Sequence, residues 1–564
     1  MDDRQQDKAE RGQAPAHDEL DEIVDGNGAP GVAGREPRLA GDDVLQALFC
    51  DESAAFRSPS EPGIGQWVSV RLRVEKQLDA KAWLVVGSCG ARVPLQPVRG
   101  DELFTWHEAR LQCGFDPLTY RVLVECEGEG RSVVLQRDGA HWADEELSPE
   151  FDFRVVPGCT TPAWAQGAVQ YQIFPDRFAN GDAGNDVVDR EYAYDGAHVR
   201  RIRDWDAAPA GDDYRCFYGG DLQGVASKLD YLQSLGVEAI YLNPIFVSPS
   251  SHKYDTQDYL HVDPHLAVIC DDADQPLAEG DFTNANALQY ARRTTSRENL
   301  ARSDELFAEL CQEVHRRGMK IILDGVFNHC GSFHFWIDRE GIYRLSGRQP
   351  AGACQSGESP YRPYFHFTGG GADDYEAWWG FSTLPKLNYE QSTRLCDEII
   401  GIARHWAMPP YSIDGWRLDV AADLGHSTWF NHRFWRRFRT ELKRVNPNLL
   451  VVAEHYGDPA PWLQGDQWDT VMNYDAFMDP LTFFLTGMEK HSDARDGGLY
   501  QNGEAFCATM RKAMARFAWP SLLCAMNELS NHDHSRFLTR TNRTVGRTET
   551  VGAAAAGAGV DKRV

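Results

Sequence analysis

Acidic and histidine side chains follow four separate apolar runs in the second half of the chain. They lie in residues 324–329 (DGVFNH), 415–419 (GWRLD), 453–456 (AEHY) and 527–533 (NELSNHD). Carboxylates and imidazoles are the side chains that most often transfer protons or attack substrates in enzymes. A single aspartate at a strand end is more often a helix cap or a surface group. The repetition at four strand ends is what indicates a catalytic site.

The elements that must position these residues alternate between strands and helices after residue 157. Amphipathic stretches, for example 304–317 and 391–406, predict helices between the apolar runs. Seven runs have the character of strands: 169–174, 239–242, 320–323, 414–419, 449–453, 470–474 and 522–526. Repeated β-then-α order implies parallel strands with crossover helices, whose catalytic groups lie at the carboxyl ends of the strands.

We therefore predict an α/β fold: a TIM-type (β/α)8 barrel over residues 157–564, with its last strand missing because seven runs are one too few for closure. The stretch near 330–385 is too long for an ordinary connection and is predicted to be a functional insertion.

The first 156 residues have a different pattern. Residues 1–44 hold 12 acidic and 5 basic residues with few large apolar ones, which predicts a disordered acidic tail. Residues 45–156 contain short runs that alternate with period two, as in Trp67–Val68–Ser69–Val70, and predict an all-β sandwich.

The net charge of −27 argues against nucleic acid or an anionic membrane as the main partner. We find no run of about 18 apolar residues that would span a bilayer, and the first residues contain no apolar segment of the signal-peptide type. The 13 cysteines show no paired spacing, which indicates free thiols in a reducing compartment. We expect a cytoplasmic protein.

The four strand-end segments resemble the signature regions of the α-amylase superfamily, glycoside hydrolase family 13. Two further segments, 384–388 (LPKLN) and 171–178 (YQIFPDRF), resemble sequences of its cyclomaltodextrinase, neopullulanase and maltogenic amylase branch. The six segments occur in the family's order, and the resemblance covers about residues 45–545. The N-terminal region resembles carbohydrate-binding module family 34, whose members often complete a neighbour's active site, so a homodimer through this region is expected.

The resemblance implies a retaining hydrolase of α-glucosidic bonds in maltodextrins, cyclodextrins or pullulan. It assigns Asp419 as the nucleophile, Glu454 as the general acid/base and Asp533 as a third catalytic carboxylate. It also implies a set of substrate-binding residues: Arg417, His329, His532, Tyr254 and Asp324. Arg417 and Asp419 share one face of a strand, so the cation is expected to keep the nucleophile ionised. Trp378, Trp379 and Tyr456 are weaker candidates for contact with sugar rings.

A cluster of short oxygen-bearing side chains lies between residues 180 and 186. By spacing alone it fits either a turn or a hard cation such as Ca²⁺. The resemblance implies a structural calcium site formed by Asn180, Asp182, Asn185, Asp186, Gly219 and Asp221.

Three questions stay open at the level of sequence. The segments after the nucleophile (VAAD) and after the acid (HYGD) depart from the branch pattern, so the preference for α-1,4 or α-1,6 bonds is open. A transglycosylase or isomerase of the same fold is an alternative function. Only 31 residues follow Asp533, too few for an eighth strand and the family's C-terminal β domain, so an inactive truncated carbohydrate-binding fragment is a further alternative.

Overall fold

The structure is a computed structural model that describes residues 41–127, 130–207, 213–348, 350–489 and 494–543. The predicted disordered tail, 1–44, lies outside the described residues except for 41–44, where helix α1 (Asp42–Gln46) begins.

The N-terminal region is antiparallel β-sheet. Its strands are β1 (Leu48–Phe49), β2 (Arg57–Ser58), β3 (Trp67–Glu75), β4 (Ala80–Val86), β5 (Ala91–Gly100), β6 (Phe104–Gln112), β7 (Leu118–Cys126), β8 (Ser132–Gln136), β9 (Gly139–Trp142) and β10 (Phe153–Val155). Their order is β1-β3-β6-β5-β4-β7-β8-β9, with β2 on β3 and β10 on β7. Strand β5 pairs with β4 on one side and β6 on the other, and so joins the two halves.

The two halves of this sheet share one core. Val70 and Leu72 of β3 pack in the same buried cluster as Val122 and Val124 of β7. Buried side chains alternate with more exposed ones along much of each strand, the pattern of a sheet with one buried face. The predicted N-terminal all-β fold is confirmed. Arg137 ties this region to the rest of the chain by donating hydrogen bonds to the carbonyl oxygens of Ala515 (2.7 Å) and Phe517 (2.8 Å).

The second region is built on a parallel sheet of six strands that follow one another in space as in sequence. These are β11 (Gln170–Ile173), β16 (Ala239–Leu242), β19 (Lys320–Gly325), β20 (Gly415–Leu418), β21 (Leu450–Ala453) and β22 (Thr470–Val471). Shorter pairs lie outside it: β12 (Ala193–Tyr194) with β13 (Ala197–His198), β14 (Arg200–Arg201) with β15 (Cys216–Phe217), and β17 (Phe246–Val247) with β18 (Asp258–Val262).

Helices surround the sheet. They are α2 (Leu222–Ser227), α3 (Leu229–Ser234), α4 (Leu288–Thr295), α5 (Arg297–Arg316), α6 (Ile342–Leu345), α7 (Thr393–Ala407), α8 (Thr428–Val445), α9 (Asp479–Thr486), α10 (Gly503–Met514), α11 (Trp519–Leu523) and α12 (Phe537–Thr541). Helix α7 shows why the sequence forms them: Ser392 caps its first turn, and Leu395, Ile399, Ile402 and Trp406 recur at helical spacing on the buried face. The predicted α/β barrel architecture is confirmed.

One predicted strand is wrong. Residues 522–526 were expected to be extended, but α11 occupies Trp519–Leu523 and only Met526 pairs with the sheet, through a parallel bridge to Met472. Pro520 fits the first turn of a helix and favours this outcome. Within the described residues the sheet ends at β11 on one side and at this bridge on the other.

The barrel interior is filled by one apolar cluster that includes Tyr241, Ile322, Val452, Met472 and Met526. The segment between β19 and α7 folds back on itself through a bridge between His329 and Lys386, and Lys386 Nζ donates to the carbonyl oxygen of Asp423, in the turn after β20. In the part of the chain that the structure describes, no helix is long and apolar enough to cross a bilayer.

Candidate active site

The centre of the candidate site is Arg417 on β20, whose side chain is fully buried. Its Nη1 lies 3.0 Å from Asp324 Oδ1 and 2.8 Å from Asp419 Oδ1, and its Nη2 lies 2.9 Å from Glu454 Oε2. The adjacent parallel strands β19, β20 and β21 bring these residues to one end of the sheet. One guanidinium therefore holds together the three carboxyl groups that sequence analysis placed at three separate strand ends.

Burial shifts two of these carboxyl groups, Asp419 and Asp324, toward their neutral forms. Burial raises the pKa of Asp419 well above its usual value, the nearby Glu454 raises it further, and Arg417 lowers it. Burial likewise raises the pKa of Asp324 against the opposing effect of Arg417. The expectation that Arg417 favours the ionised nucleophile is right in direction, but burial and Glu454 outweigh it in the free protein.

Asp324 is held from several sides by protein donors. The hydroxyl groups of Tyr241 and Tyr254 both donate to its Oδ2, the second at 2.8 Å. Arg417 also donates to both of its oxygens. The carboxyl group of Asp324 thus orients Arg417 and Tyr254. Its expected contact with substrate stays a prediction.

The turn after β20 adds a contact that sequence analysis missed. Val420 has φ 37° and ψ 47°, a left-handed conformation that is strained for a β-branched residue. Its backbone N–H donates to Glu454 Oε2 at 2.9 Å, and Tyr456 Oη lies 3.5 Å from the other oxygen of Glu454. No feature of the VAAD sequence signals this geometry.

The predicted aromatic and histidine residues form a second layer beside the carboxyl groups. Tyr254 stacks on His532 with ring centroids 5.1 Å apart and planes 3° from parallel. His329 Nε2 donates to the carbonyl oxygen of Tyr254 at 3.1 Å, and its ring stacks on Trp378. Burial lowers the pKa of His329 to about 4 and that of His532 to about 3, so both imidazoles are neutral at pH 7.

Asp533 is more accessible than the other predicted catalytic carboxyl groups. Its side chain is 35% exposed, against 9% for Asp419 and 5% for Glu454. His532 Nε2 lies 3.4 Å from Asp533 Oδ2, and His532 Nδ1 accepts a hydrogen bond from Gln172 Nε2 on β11 at 2.9 Å. This contact carries the 527–533 segment across to the first strand and brings all eight predicted catalytic and substrate-binding residues into one site.

The predicted calcium ligands also lie together, beside the start of α2. Asp221 caps that helix: its Oδ1 accepts from the N–H groups of Gly181 and Gly224, and its Oδ2 from that of Asp182. Asn185 Nδ2 donates to the same Oδ2 at 3.2 Å. The carboxylate of Asp221 therefore pins both ends of the loop.

Two observations test whether these residues fit a hard cation. Among the described residues, the Oδ1 of the fully buried Asn185 has no hydrogen-bond partner, and Asp186 Oδ1 lies so close to Gly219 that a Cβ there would come within 2.0 Å of it. Against these, Arg201 Nη2 lies 2.6 Å from Asp186 Oδ2. Among the described residues, no group of three or more His, Cys, Asp or Glu side chains could hold a metal ion by itself. The oxygen donors fit Ca²⁺ in type, provided that amide or backbone oxygens contribute.

Comparison with known proteins agrees with this geometry. The model of the alpha amylase catalytic domain matches residues 172–271 and 302–557. Neopullulanase 2 of Thermoactinomyces vulgaris is 35% identical over 451 residues, which cover 78% of this chain and 62% of that protein. The intracellular maltogenic amylase of Bacillus subtilis is 34% identical over 401 residues, covering 69% of this chain and 55% of that protein.

A solved cyclomaltodextrinase structure superposes with a TM-score of 0.54 at 27% identity, covering 88% of this chain and 73% of that one. The chain belongs to the α-amylase family, and its relatives come from the neopullulanase, cyclomaltodextrinase and maltogenic amylase branch. It spans less than two thirds of the length of the two curated relatives described above.

Proposed function

We propose that this chain hydrolyses α-glucosidic bonds with retention of configuration, with Asp419 as nucleophile and Glu454 as general acid/base. The observation that carries the proposal is that the buried guanidinium of Arg417 contacts both carboxyl groups. One of its terminal nitrogens contacts Asp419, and the other contacts Glu454. Retaining glycosidases need two carboxyl groups about 5 Å apart on either side of the scissile bond. Sharing one guanidinium keeps the two carboxyl groups close together, which supports this assignment.

Burial and the nearby Glu454 raise the pKa of Asp419, and Arg417 lowers it. In the reactive state of this proposal Glu454 carries a proton and Asp419 carries the negative charge. Glu454 protonates the glycosidic oxygen as the bond from that oxygen to the anomeric carbon breaks, and Asp419 forms an ester with that carbon. Glu454 then takes a proton from water, which attacks the anomeric carbon and releases Asp419.

The remaining residues of the site contact the sugar in this proposal. The neutral imidazole of His532 and the accessible carboxylate of Asp533 bind hydroxyl groups of the ring whose bond is cleaved. The phenol ring of Tyr254 packs against a sugar face. Both ring nitrogens of His329 already have hydrogen-bond partners in the protein. A hydrogen bond from His329 to the sugar therefore requires that one ring nitrogen give up its protein partner.

We infer the substrate class from the printed names of the relatives, which are a neopullulanase, a cyclomaltodextrinase and a maltogenic amylase. The substrates proposed are maltodextrins, cyclodextrins and pullulan. The test is the release of reducing sugar from maltotriose, γ-cyclodextrin and pullulan by the wild-type chain, Asp419→Asn and Glu454→Gln. We expect release by wild type and its loss in both variants. Release at the wild-type rate by either variant would contradict the assignment, and transfer products without net reducing sugar would favour the transglycosylase alternative.

We propose a structural Ca²⁺ for the loop at residues 180–186, supported by the unpartnered, buried Asn185 Oδ1. The ion would be held by Asn180, Asp182, Asn185, Asp186, Gly219 and Asp221 and would fix the loop without taking part in chemistry. Excess chelator should lower the melting temperature of wild type and leave Asn185→Ala unchanged. An identical melting curve with and without chelator would count against the ion and favour Arg201 as the cation that neutralises Asp186.

We also propose a cytoplasmic location and a homodimer through the N-terminal region. The relative named as intracellular supports the first. Phe115 and Leu103, which are 83% and 67% exposed, support the second, because large exposed apolar side chains often lie at interfaces. Sedimentation equilibrium of wild type and Phe115→Ser tests the dimer, and a wild-type monomer at all concentrations would contradict it.

A further inference from the structure

The carboxyl group of Glu528 lies in the candidate active site but has no role in the proposed reaction. Two residues before it, Met526 pairs with Met472 and packs in the apolar cluster of the barrel interior. Glu528 follows this bridge and lies close enough to Arg417, Glu454 and Asp533 for their charges to shift its pKa.

One oxygen of Glu528 is fixed and the other is not. Asn531 Nδ2 donates to Glu528 Oε1 at 3.0 Å and to Tyr474 Oη at 3.1 Å. Tyr474 stacks on Tyr456, with ring centroids 4.5 Å apart, and Tyr456 is the residue beside Glu454. Within the described part of the chain, Glu528 Oε2 has no hydrogen-bond partner, and it is not among the buried polar atoms without partners. Oε2 is therefore accessible to solvent.

The charged groups around Glu528 lie on β20, directly after β21 and on the segment of Glu528 itself. The pKa of Glu528 is raised to about 8: burial is the largest cause, Asn531 and Arg417 oppose it, and Asp533 and Glu454 add to it. Tyr474, on the fourth side, presents a neutral hydroxyl group. A carboxylic acid that keeps its proton at pH 7 is a hydrogen-bond donor, whereas its ionised form can only accept hydrogen bonds.

We propose that Glu528 is a specificity-determining residue that donates a hydrogen bond from Oε2 to a sugar hydroxyl group in the cleft. This inference rests on the proposed function, because it takes the ligand to be an α-glucan. The donor is lost when the acid ionises, and the new negative charge beside Glu454 and Asp533 leaves only acceptors at that position. Binding of the sugar should then weaken as the pH rises through the transition of Glu528.

The test separates binding from turnover by using the Asp419→Asn background, in which maltotriose is bound without being cleaved. Calorimetry at pH 7 and pH 9 measures the affinity. We expect the Kd to rise roughly three- to tenfold between the two pH values, the range given by the loss of one hydrogen bond. Adding Glu528→Gln, which keeps an N–H donor that cannot ionise, should remove the pH dependence. Adding Glu528→Leu should weaken binding by a similar factor already at pH 7.

The matched control is Glu504→Gln, which neutralises an exposed carboxyl group in the first turn of α10 and should leave the pH dependence of binding intact. The inference is overturned if the Glu528→Gln background shows the same pH dependence as its parent, or if Glu528→Leu binds as tightly as its parent at pH 7. Failure of the proposed function has a different signature, the absence of hydrolysis by the wild-type chain.

Discussion

Replacing Arg417 by methionine removes the buried positive charge that contacts the three carboxyl groups of the site. The side chain is completely buried, and it contacts Asp324, Asp419 and Glu454 at 2.8–3.0 Å. Methionine keeps an unbranched apolar stem and carries no charge, so the change removes the guanidinium while part of the packing stays. The three carboxyl groups are left without a cation.

The expected loss of unfolding free energy follows from the buried carboxyl groups that remain without a cation. Removing one partner of a buried ion pair costs about 3–5 kcal/mol, because an uncompensated charge stays buried. We expect a loss in this range at pH 7, a large fraction of the roughly 5–15 kcal/mol that stabilises a typical domain. The loss should be smaller at pH 5, since the pKa values of Asp419 and Asp324 are already raised by burial and the carboxyl groups then become neutral.

Urea unfolding followed by tryptophan fluorescence measures these free energies. The double variant Arg417→Met/Asp324→Asn should recover part of the loss, with a coupling of about 0.5–3 kcal/mol, because it leaves one fewer buried charge. Arg71→Met is the matched control: its pairing with Glu108 is partly exposed and should cost no more than about 1 kcal/mol. If Arg417→Met lowers the unfolding free energy no more than Arg71→Met does, the buried charge of Arg417 does not have the role proposed here. The same holds if Asp324→Asn recovers none of the lost unfolding free energy.

Two further predictions concern charge and backbone strain. The imidazole of His265 lies between the buried carboxylates of Glu191 (2.8 Å) and Asp263 (2.9 Å), and its pKa is raised to about 9. The stabilisation by the ionised imidazole should be complete below about pH 6.5 and should be lost as the pH rises through about 9. His265→Gln should therefore flatten the pH dependence of the unfolding free energy between these two pH values. An unchanged slope in the variant would count against the ionised imidazole. For Val420→Gly, relief of roughly 1–2 kcal/mol of left-handed strain is offset by the entropy of glycine, so stability should change by less than about 1 kcal/mol. The hydrolysis rate of that variant should fall, because the N–H that fixes Glu454 becomes mobile, and a destabilisation above about 2 kcal/mol would show that the strain estimate is wrong.

The parallel strands could be predicted from sequence because strands covered on both faces are continuous apolar runs. The run at Ala239–Leu242 has the bounds of β16, and the run at 320–323 covers the first four of the six residues of β19. The same logic fails at residues 522–526, since a short apolar run fits a buried helix as well as a strand. Pro520, at the start of α11, was the local signal that favours the helix.

The site residues at strand ends could be predicted because the fold places them there, but their contacts could not. Sequence spacing related Arg417 only to Asp419, whereas the structure shows that it also contacts Asp324 and Glu454. These contacts depend on the register of adjacent strands, which local sequence does not determine. The left-handed Val420 was missed for the same reason, since tertiary packing imposes its conformation.

The stereochemistry of the first product tests the paired roles of Asp419 and Glu454 most directly. Proton NMR during the first minutes of maltotriose hydrolysis distinguishes the anomers before they equilibrate. Two successive displacements at one carbon, the first by Asp419 and the second by water, predict that the α-anomer forms first and that the β-anomer appears only by later mutarotation. Initial release of the β-anomer would show a single displacement by water and would contradict the nucleophilic role of Asp419.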